Sequence, residues 1–400
     1  MLTIFSILLS YFFYRFDKTT HKIFFAISFA FLFCISISYD TRNSLFNEKE
    51  VFETGRPSFG FEFWAIYFES VLAFIIFYFI LFKSKTDFIE TNKNNYHLNK
   101  LKKLYYYFSF ISLAAFLINI IRVFLKLPIT AILLNPRLYE KTFGASTPIN
   151  YLYFLNIPAL CLSVYLSQEG IQLKGKKWLN FLLIFISLFH GIKFTIFDTL
   201  LYPAIFFFLY KKTFSFKPVL VFSALLMTVY LGFNILVRGN IKGYTIFDQV
   251  LSYITPNFYN FFYSIEKTPE QFNFLSVLFI PDKLPNIFSF SNFNGISGFL
   301  MNEKYNMQTI LSEFYNTFSI FAPFLFIPFL LLALFFYRFS NKNLVYKFVS
   351  VYLIFCLLFS FYFYAFTKTK YVYLIFVFVF IHYFAVDRNK IKKIQEPITE

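Results

Sequence analysis

The chain is 400 residues long, 58% hydrophobic and only 14% charged, with 37 Lys and Arg against 21 Asp and Glu for a formal charge of +16. Soluble globular domains carry roughly 25% charged residues, so this composition excludes a water-soluble enzyme. The basic residues sit in short connectors between apolar runs, which turns the positive charge away from nucleic acid and toward membrane topology.

An apolar run from Met1 to Tyr14 opens the chain. No Lys or Arg precedes it, the first basic residue is Arg15, and no A-x-A site follows, so it reads as a retained first span and not as a cleaved signal. Further apolar runs follow at about 23–39, 62–82, 104–125, 149–167, 178–190, 195–210, 218–237, 316–337, 344–366 and 371–386. They are continuous and not alternating, so they are helices and not barrel strands. The expected fold is all-α: a polytopic integral membrane protein of about eleven spans, with residues 1–400 as one transmembrane domain.

Connectors holding Arg15, Lys18 and Lys22, then Lys83 to Lys103, Lys174 to Lys177, Lys211 to Lys217, Arg338 to Lys347 and the basic tail from Arg388 alternate in parity with the rest. The positive-inside rule places them in the cytoplasm, with the N-terminus outside and the C-terminus inside. The main outer loops are then about 40–61, 126–148 and 238–315. In the last of these, Phe247, Val250, Leu251 and Ile254 recur at helical spacing, Thr255 caps a second helix with Pro256 at its first position, and Phe258, Phe261, Phe262 and Ile265 continue the stripe. Two amphipathic helices lying in the outer interface are expected there.

The stretch Gly170-Ile171-Gln172-Leu173-Lys174-Gly175-Lys176-Lys177 matches G-x-x-x-x-G-K, but Lys177 stands where a P-loop needs Ser or Thr, and a membrane helix precedes it. Nucleotide-driven transport is therefore not expected. Cys34, Cys161 and Cys356 fall inside spans with no ligand-type spacing, and no metal or other cofactor is expected. His382, near the inner end of the last span, reads as packing.

The outer-face cations run against the positive-inside bias. Arg42, Arg56, Arg122, Lys126, Arg137, Lys141, Lys193, Arg238 and Lys242 all fall outside or near the outer ends of spans. Such a set suits an anionic ligand, because guanidinium forks match phosphate oxygens. Arg137, Lys141, Lys193 and Arg238 are the candidate binding residues. The sharpest local feature is the tight hairpin His190-Gly191-Ile192-Lys193-Phe194. Its flanking spans are short, which draws Lys193 and Asp198 below the membrane surface, where ionisable residues are functional candidates. Lys193 suits a diphosphate, and Asp198 or His190 suits proton removal from a hydroxyl nucleophile. A Lys193–Asp198 pair that merely neutralises the hairpin is the competing reading.

The layout resembles the O-antigen polymerase family, the oligosaccharide repeat-unit polymerases: about eleven spans, few charges and a long late outer loop. Asn135-Pro136-Arg137-Leu138-Tyr139, Gly191-Ile192-Lys193, Arg238-Gly239 and Phe293-Asn294-Gly295-Ile296-Ser297 carry the local similarity. The chain departs from the family where Lys193 replaces a frequent Arg, and where Phe318-Ser319-Ile320-Phe321 lacks the glycines of a late-span entry. The resemblance implies transfer of a growing glycan from undecaprenyl diphosphate to a sugar hydroxyl of another lipid-linked repeat unit, on the periplasmic face of a bacterial inner membrane. It implies a metal-independent reaction, consistent with the absence of D-x-D, and a chain-length regulator as partner. The rivals are an O-antigen ligase, another polyprenyl-linked glycosyltransferase, or a flippase for lipid-linked sugars.

Overall fold

The computed structural model describes residues 1–19, 22–42, 59–84, 96–128, 130, 142–143, 148–188, 193–209, 246–267, 309–361 and 369–387. Its helices, in chain order, are α1 (Leu2–Phe16), α2 (Ile23–Thr41), α3 (Phe61–Lys83), α4 (Leu98–Lys126), α5 (Pro148–Tyr153), α6 (Asn156–Gln168), α7 (Lys176–Leu188), α8 (Lys193–Phe208), α9 (Ile246–Lys267), α10 (Ile310–Phe318), a 3-10 segment (Ser319–Leu325), α11 (Phe326–Arg338), α12 (Leu344–Leu358) and α13 (Thr369–Ala385). Among the described residues, five stretches are long and apolar enough to cross a membrane: Ile23–Thr41, Phe61–Lys83, Leu98–Lys126, Pro148–Gln168 and Ser319–Arg338. Leu2–Phe16, Thr195–Phe208, Leu344–Leu358 and Lys370–Ala385 are shorter apolar helices. The expected span at 218–237 lies outside the described residues.

Apolar residues face outward in stripes. On α3, Phe61, Phe68, Leu72, Ile75, Phe79 and Phe82 are exposed, and on α4 Phe110, Leu117, Ile121 and Phe124 are exposed. Stripes of this size facing water are an aggregation hazard, whereas lipid solvates them. The protein is a helical membrane protein.

The chain divides into two compact units. The first gathers residues 1–87, 240–338 and 352–372. In it α1 and α2 form an antiparallel hairpin held at both ends by aspartates. At the turn, Lys22 occupies the N-cap position of α2 and offers no acceptor. Buried Asp17 supplies one instead, accepting from the Thr19 and Phe25 backbone N–H groups, each at 2.9 Å, and from the Thr19 hydroxyl at 2.5 Å. At the far end, Asp40 accepts from Leu2 N at 3.3 Å and Thr3 N at 2.9 Å, which satisfies the open first turn of α1. Between the ends, Ser6 lies 2.5 Å from the Ser36 hydroxyl and 2.7 Å from the Tyr67 hydroxyl, joining α1, α2 and α3. A ring core fills the remainder, including Phe31 against Phe326 at 4.7 Å and Phe13 stacked on Tyr78 at 4.5 Å.

Two expectations for this unit are corrected. The stretch read as two interfacial helices parted at Thr255 is one helix, α9, with Pro256 inside it. Thr255 Oγ1 donates to Leu251 O at 2.9 Å, as serine and threonine do inside apolar helices. Residues 255–264 are all buried, so this part of α9 is not lying half-exposed in an interface. Its aromatic stripe packs inward: the Tyr259 hydroxyl donates to Ser38 O at 2.9 Å, and Phe262 meets Phe63 at 5.3 Å.

The second correction is that the late span near 316–337 is not a continuous helix. It breaks after Phe318, where Ser319 adopts φ 50 and ψ −132. That region is nearly confined to glycine, because a Cβ crowds its own backbone there. Ser319→Gly is expected to stabilise the protein by about 1 kcal/mol and Ser319→Val to destabilise it. Thermal unfolding in detergent, followed by helical circular dichroism, reads both; a less stable glycine variant would contradict the argument.

The second unit gathers residues 88–239, 339–351 and 373–400. Here α4 packs on α5 and α6, and α8 packs on α6 and α7. The Tyr105 hydroxyl donates to Asn180 Oδ1 at 3.0 Å and Asn180 Nδ2 donates to Ser163 Oγ at 2.8 Å, tying α4, α7 and α6. The Gly170 to Lys177 stretch begins as a helix stop: Gly170 has φ +75, Gly170 N bonds Ser167 O at 3.2 Å and Ile171 N bonds Leu166 O at 2.8 Å. Those paired bonds make a Schellman cap, so N–H groups that a phosphate loop would present are committed to α6.

Candidate functional site

Polar side chains gather inside one end of the second unit. The break between α5 and α6 starts the arrangement. Pro158 has no N–H to give Phe154 O, so Ile157 N turns back to Phe154 O at 3.2 Å. That leaves Tyr153 O to accept from the Ser112 hydroxyl of α4 at 2.7 Å. Asn150 and Asn156 flank the break. Asn119 Nδ2 of α4 donates to Asn150 Oδ1 at 2.9 Å. Asn156 Nδ2 donates to Thr199 Oγ1 of α8 at 3.1 Å, and that hydroxyl donates onward to Thr195 O at 2.8 Å.

Asp198 shares this turn of α8 with Thr195 and Thr199, and all three are buried, Asp198 at 0% exposure. Asn119 and Asn156 are also at 0% exposure, and among the described residues the Oδ1 of each has no hydrogen-bond donor. Asn119 lies seven residues before the end of α4, Asn156 eight after the start of α5, and Asp198 five after the start of α8. At 1.5 Å per residue Asn119 and Asp198 sit roughly 7–11 Å inside their helix ends, and Asn156 opens α6. The arrangement on α6 and α8 therefore combines a sealed carboxyl group, one residue from the Thr199 that holds Asn156, with an Asn156 acceptor that lacks a donor among the described residues. Chemically, it is matched to a ligand rich in hydroxyl groups and to proton removal from one of them.

Of the six residues expected from sequence, Asp198 is the one whose surroundings are described. Lys193 begins α8, and its side chain lies outside the described residues, as do His190, Arg137, Lys141 and Arg238. Two of the wider cation set are engaged locally. Arg122 Nη2 donates to Thr142 O at 3.0 Å and Phe143 O at 3.2 Å. Arg42 donates from Nη1 to Tyr39 O at 2.6 Å and stacks over the Tyr39 ring at 3.7 Å. Arg42 thus closes the end of its own helix, and Arg122 ties α4 to the Thr142–Phe143 stretch.

His382 is hydrogen-bonded and not merely packed. Its Nδ1 lies 2.7 Å from the Tyr96 hydroxyl, which also accepts from Leu344 N at 2.9 Å. Burial pushes the Tyr96 phenol up from its ordinary value, so it stays a neutral donor. Nearby, Lys347 is 5% exposed and donates to Asn341 Oδ1 at 3.3 Å.

Asn119 and Asn156 were missed from sequence, as was Glu69 in the middle of α3. Each stands alone in an apolar run, and a polar residue inside a span is itself the signal that would have found it. No protein-family model, no curated protein and no solved structure matches the chain.

Proposed function

We propose that the protein is a membrane glycosyltransferase that polymerises lipid-linked oligosaccharide repeat units. The observation that carries this reading is the buried carboxyl of Asp198, one residue from the Thr199 that holds Asn156, whose own Oδ1 has no donor among the described residues. Sugar hydroxyls supply donors to such acceptors, and an acceptor hydroxyl must lose a proton to attack. In this reading Asp198 takes that proton, with His190 as the other candidate. The departing undecaprenyl diphosphate is held by Arg137, Lys141, Lys193 and Arg238, whose charge stabilises the leaving oxygen as it develops. Lipid diphosphate is an activated leaving group, so neither a nucleotide nor a metal is required. The layout of the sequence and its four local similarities to O-antigen polymerases support the same reading. It places the site on the periplasmic face of a bacterial inner membrane, with the C-terminus in the cytoplasm and a chain-length regulator as a further partner.

A second reading, a flippase for lipid-linked sugars, is favoured by one observation: the helices broken at Pro158 and at Ser319. Transporters often build their sites from discontinuous helices.

A surface-polysaccharide gel from the host separates the readings. Deletion of the gene is expected to collapse the ladder to a core bearing a single repeat unit. Polymer retained on its lipid carrier would instead mark a ligase. Loss of even the single unit, with lipid-linked repeat units accumulating on the inner leaflet, would mark the flippase. An unchanged ladder would sink all three.

A further inference from the structure

Glu69 lies within α3, eight residues from Phe61 and fourteen from Lys83. At 1.5 Å per residue it is about 12 Å from the nearer helix end, beneath the depth of lipid headgroups. Its Oε2 is sealed from solvent and has no hydrogen-bond partner among the described residues. The residue as a whole is only half-buried. It stands at the edge of the lipid-facing stripe of α3, beside exposed Phe68 and one turn from exposed Leu72. A bare carboxylate is poorly accommodated there, whereas a neutral acid needs one donor and one acceptor to be satisfied.

Ring contacts locate what lies level with it. Near the start of α3, Phe63 touches Phe262, its neighbour Phe261 touches Tyr315, and further along Phe74 touches Phe326. Glu69 falls between Phe63 and Phe74, so the level it occupies corresponds to the stretch between Tyr315 and Phe326. That stretch holds the break at Ser319 and the 3-10 segment, against which α3 packs. A regular helix presents no spare backbone groups at such a depth. A broken one does, and Phe321 of the segment is itself exposed.

We propose that Glu69 is the polar centre of an intramembrane site for a hydroxyl-bearing lipid, open to the bilayer along the flank of α3 and the 3-10 segment. A neutral carboxylic acid and an alcohol each offer one donor and one acceptor, so they satisfy each other in a pair of hydrogen bonds. A charged headgroup is excluded by depth, and the surrounding Phe and Leu side chains suit an apolar chain. This site lies in the first unit and does not depend on the transferase reading.

Carbodiimide labelling of the full-length protein in lipid nanodiscs tests it. The proton of a neutral acid moves to a carbodiimide nitrogen and the acid oxygen bonds the central carbon, so the adduct contains both reactants whole. Apolar dicyclohexylcarbodiimide is expected to modify Glu69, mapped by peptide mass, at a rate that falls as pH rises. The water-soluble carbodiimide is expected to spare Glu69 and to modify exposed Glu62 on the same helix, which shows that the reagent is active. Farnesol should slow the Glu69 reaction several-fold, while farnesyl methyl ether, which cannot donate, should not. Glu69→Gln should remove the adduct and the farnesol-dependent rise in melting temperature while leaving the helical signal intact. No adduct on Glu69 in the folded wild-type protein would overturn the proposal, as would equal modification by the water-soluble reagent. Equal protection by the alcohol and its ether would overturn the hydroxyl-recognising site.

Discussion

Alanine at Asp17 is expected to lower the stability of the protein by about 3 kcal/mol, which is large against the few kcal/mol that hold most folds together. The side chain accepts three hydrogen bonds, two of them from the Thr19 and Phe25 backbone N–H groups at the turn between α1 and α2. Alanine leaves those donors without the acceptor that Lys22, at the N-cap, does not supply. Asp17→Asn keeps an acceptor oxygen and should lose less. The two variants also differ from wild type in their response to pH. Burial outweighs the hydrogen bonds and the nearby Lys22, and holds the Asp17 carboxyl above its ordinary value of 3.8. Over a window opening near that value, the folded protein keeps a proton that the unfolded chain has released. The associated stabilisation is complete below the window and is lost as pH rises through the folded value. The melting temperature of wild type relative to Asp17→Asn should therefore fall as pH is raised from about 4 toward 7. A difference that widened with pH would show that the hydrogen bonds, and not burial, control the group.

Helix ends were legible where charge brackets an apolar run. The span read at 62–82 is the helix Phe61–Lys83, and the run at 23–39 is Ile23–Thr41, because Lys22 and Lys83 mark where lipid-compatible sequence stops. Breaks inside runs were not legible. Pro158 and Ser319 interrupt their helices inside runs whose average stays apolar, although Asn156, Asn316 and Thr317 stand close by. The helical periodicity of α9 was legible, but it was divided at Thr255 into two interfacial helices, and periodicity names no partner. The face that was expected to meet lipid headgroups meets α2 and α3, as Tyr259 and Phe262 show. For the candidate site, the outer cations drew attention because they oppose a known bias. Asn119, Asn156 and Glu69 did not, because one polar residue vanishes in a window averaged over a whole span. Asp198 was singled out for the opposite reason: a short hairpin is expected to draw it below the surface; its side chain is buried within the second unit.

Asp198→Asn is expected to abolish the polysaccharide ladder as completely as deletion does, with the protein still present in the membrane. The carboxamide has nearly the shape of the carboxyl and can still accept and donate hydrogen bonds, so packing of α8 on α6 should survive. What it cannot do is take a proton from an attacking hydroxyl, a contribution of about 100- to 10,000-fold in rate. Thr199→Val separates chemistry from packing. It removes the hydrogen bond from Asn156 Nδ2 at 3.1 Å while leaving Asp198 in place. A hydrogen bond between membrane helices contributes about 1 kcal/mol or less, so this variant should melt slightly lower and still make polymer. Turnover measured with a purified lipid-linked repeat unit, beside the melting temperature of each variant, gives the decisive comparison. If Asp198→Asn retains polymer while Thr199→Val loses it, the carboxyl is a packing group and the base must be sought at His190. If both retain polymer, the polar group at the α5–α6 break serves the fold and not the reaction.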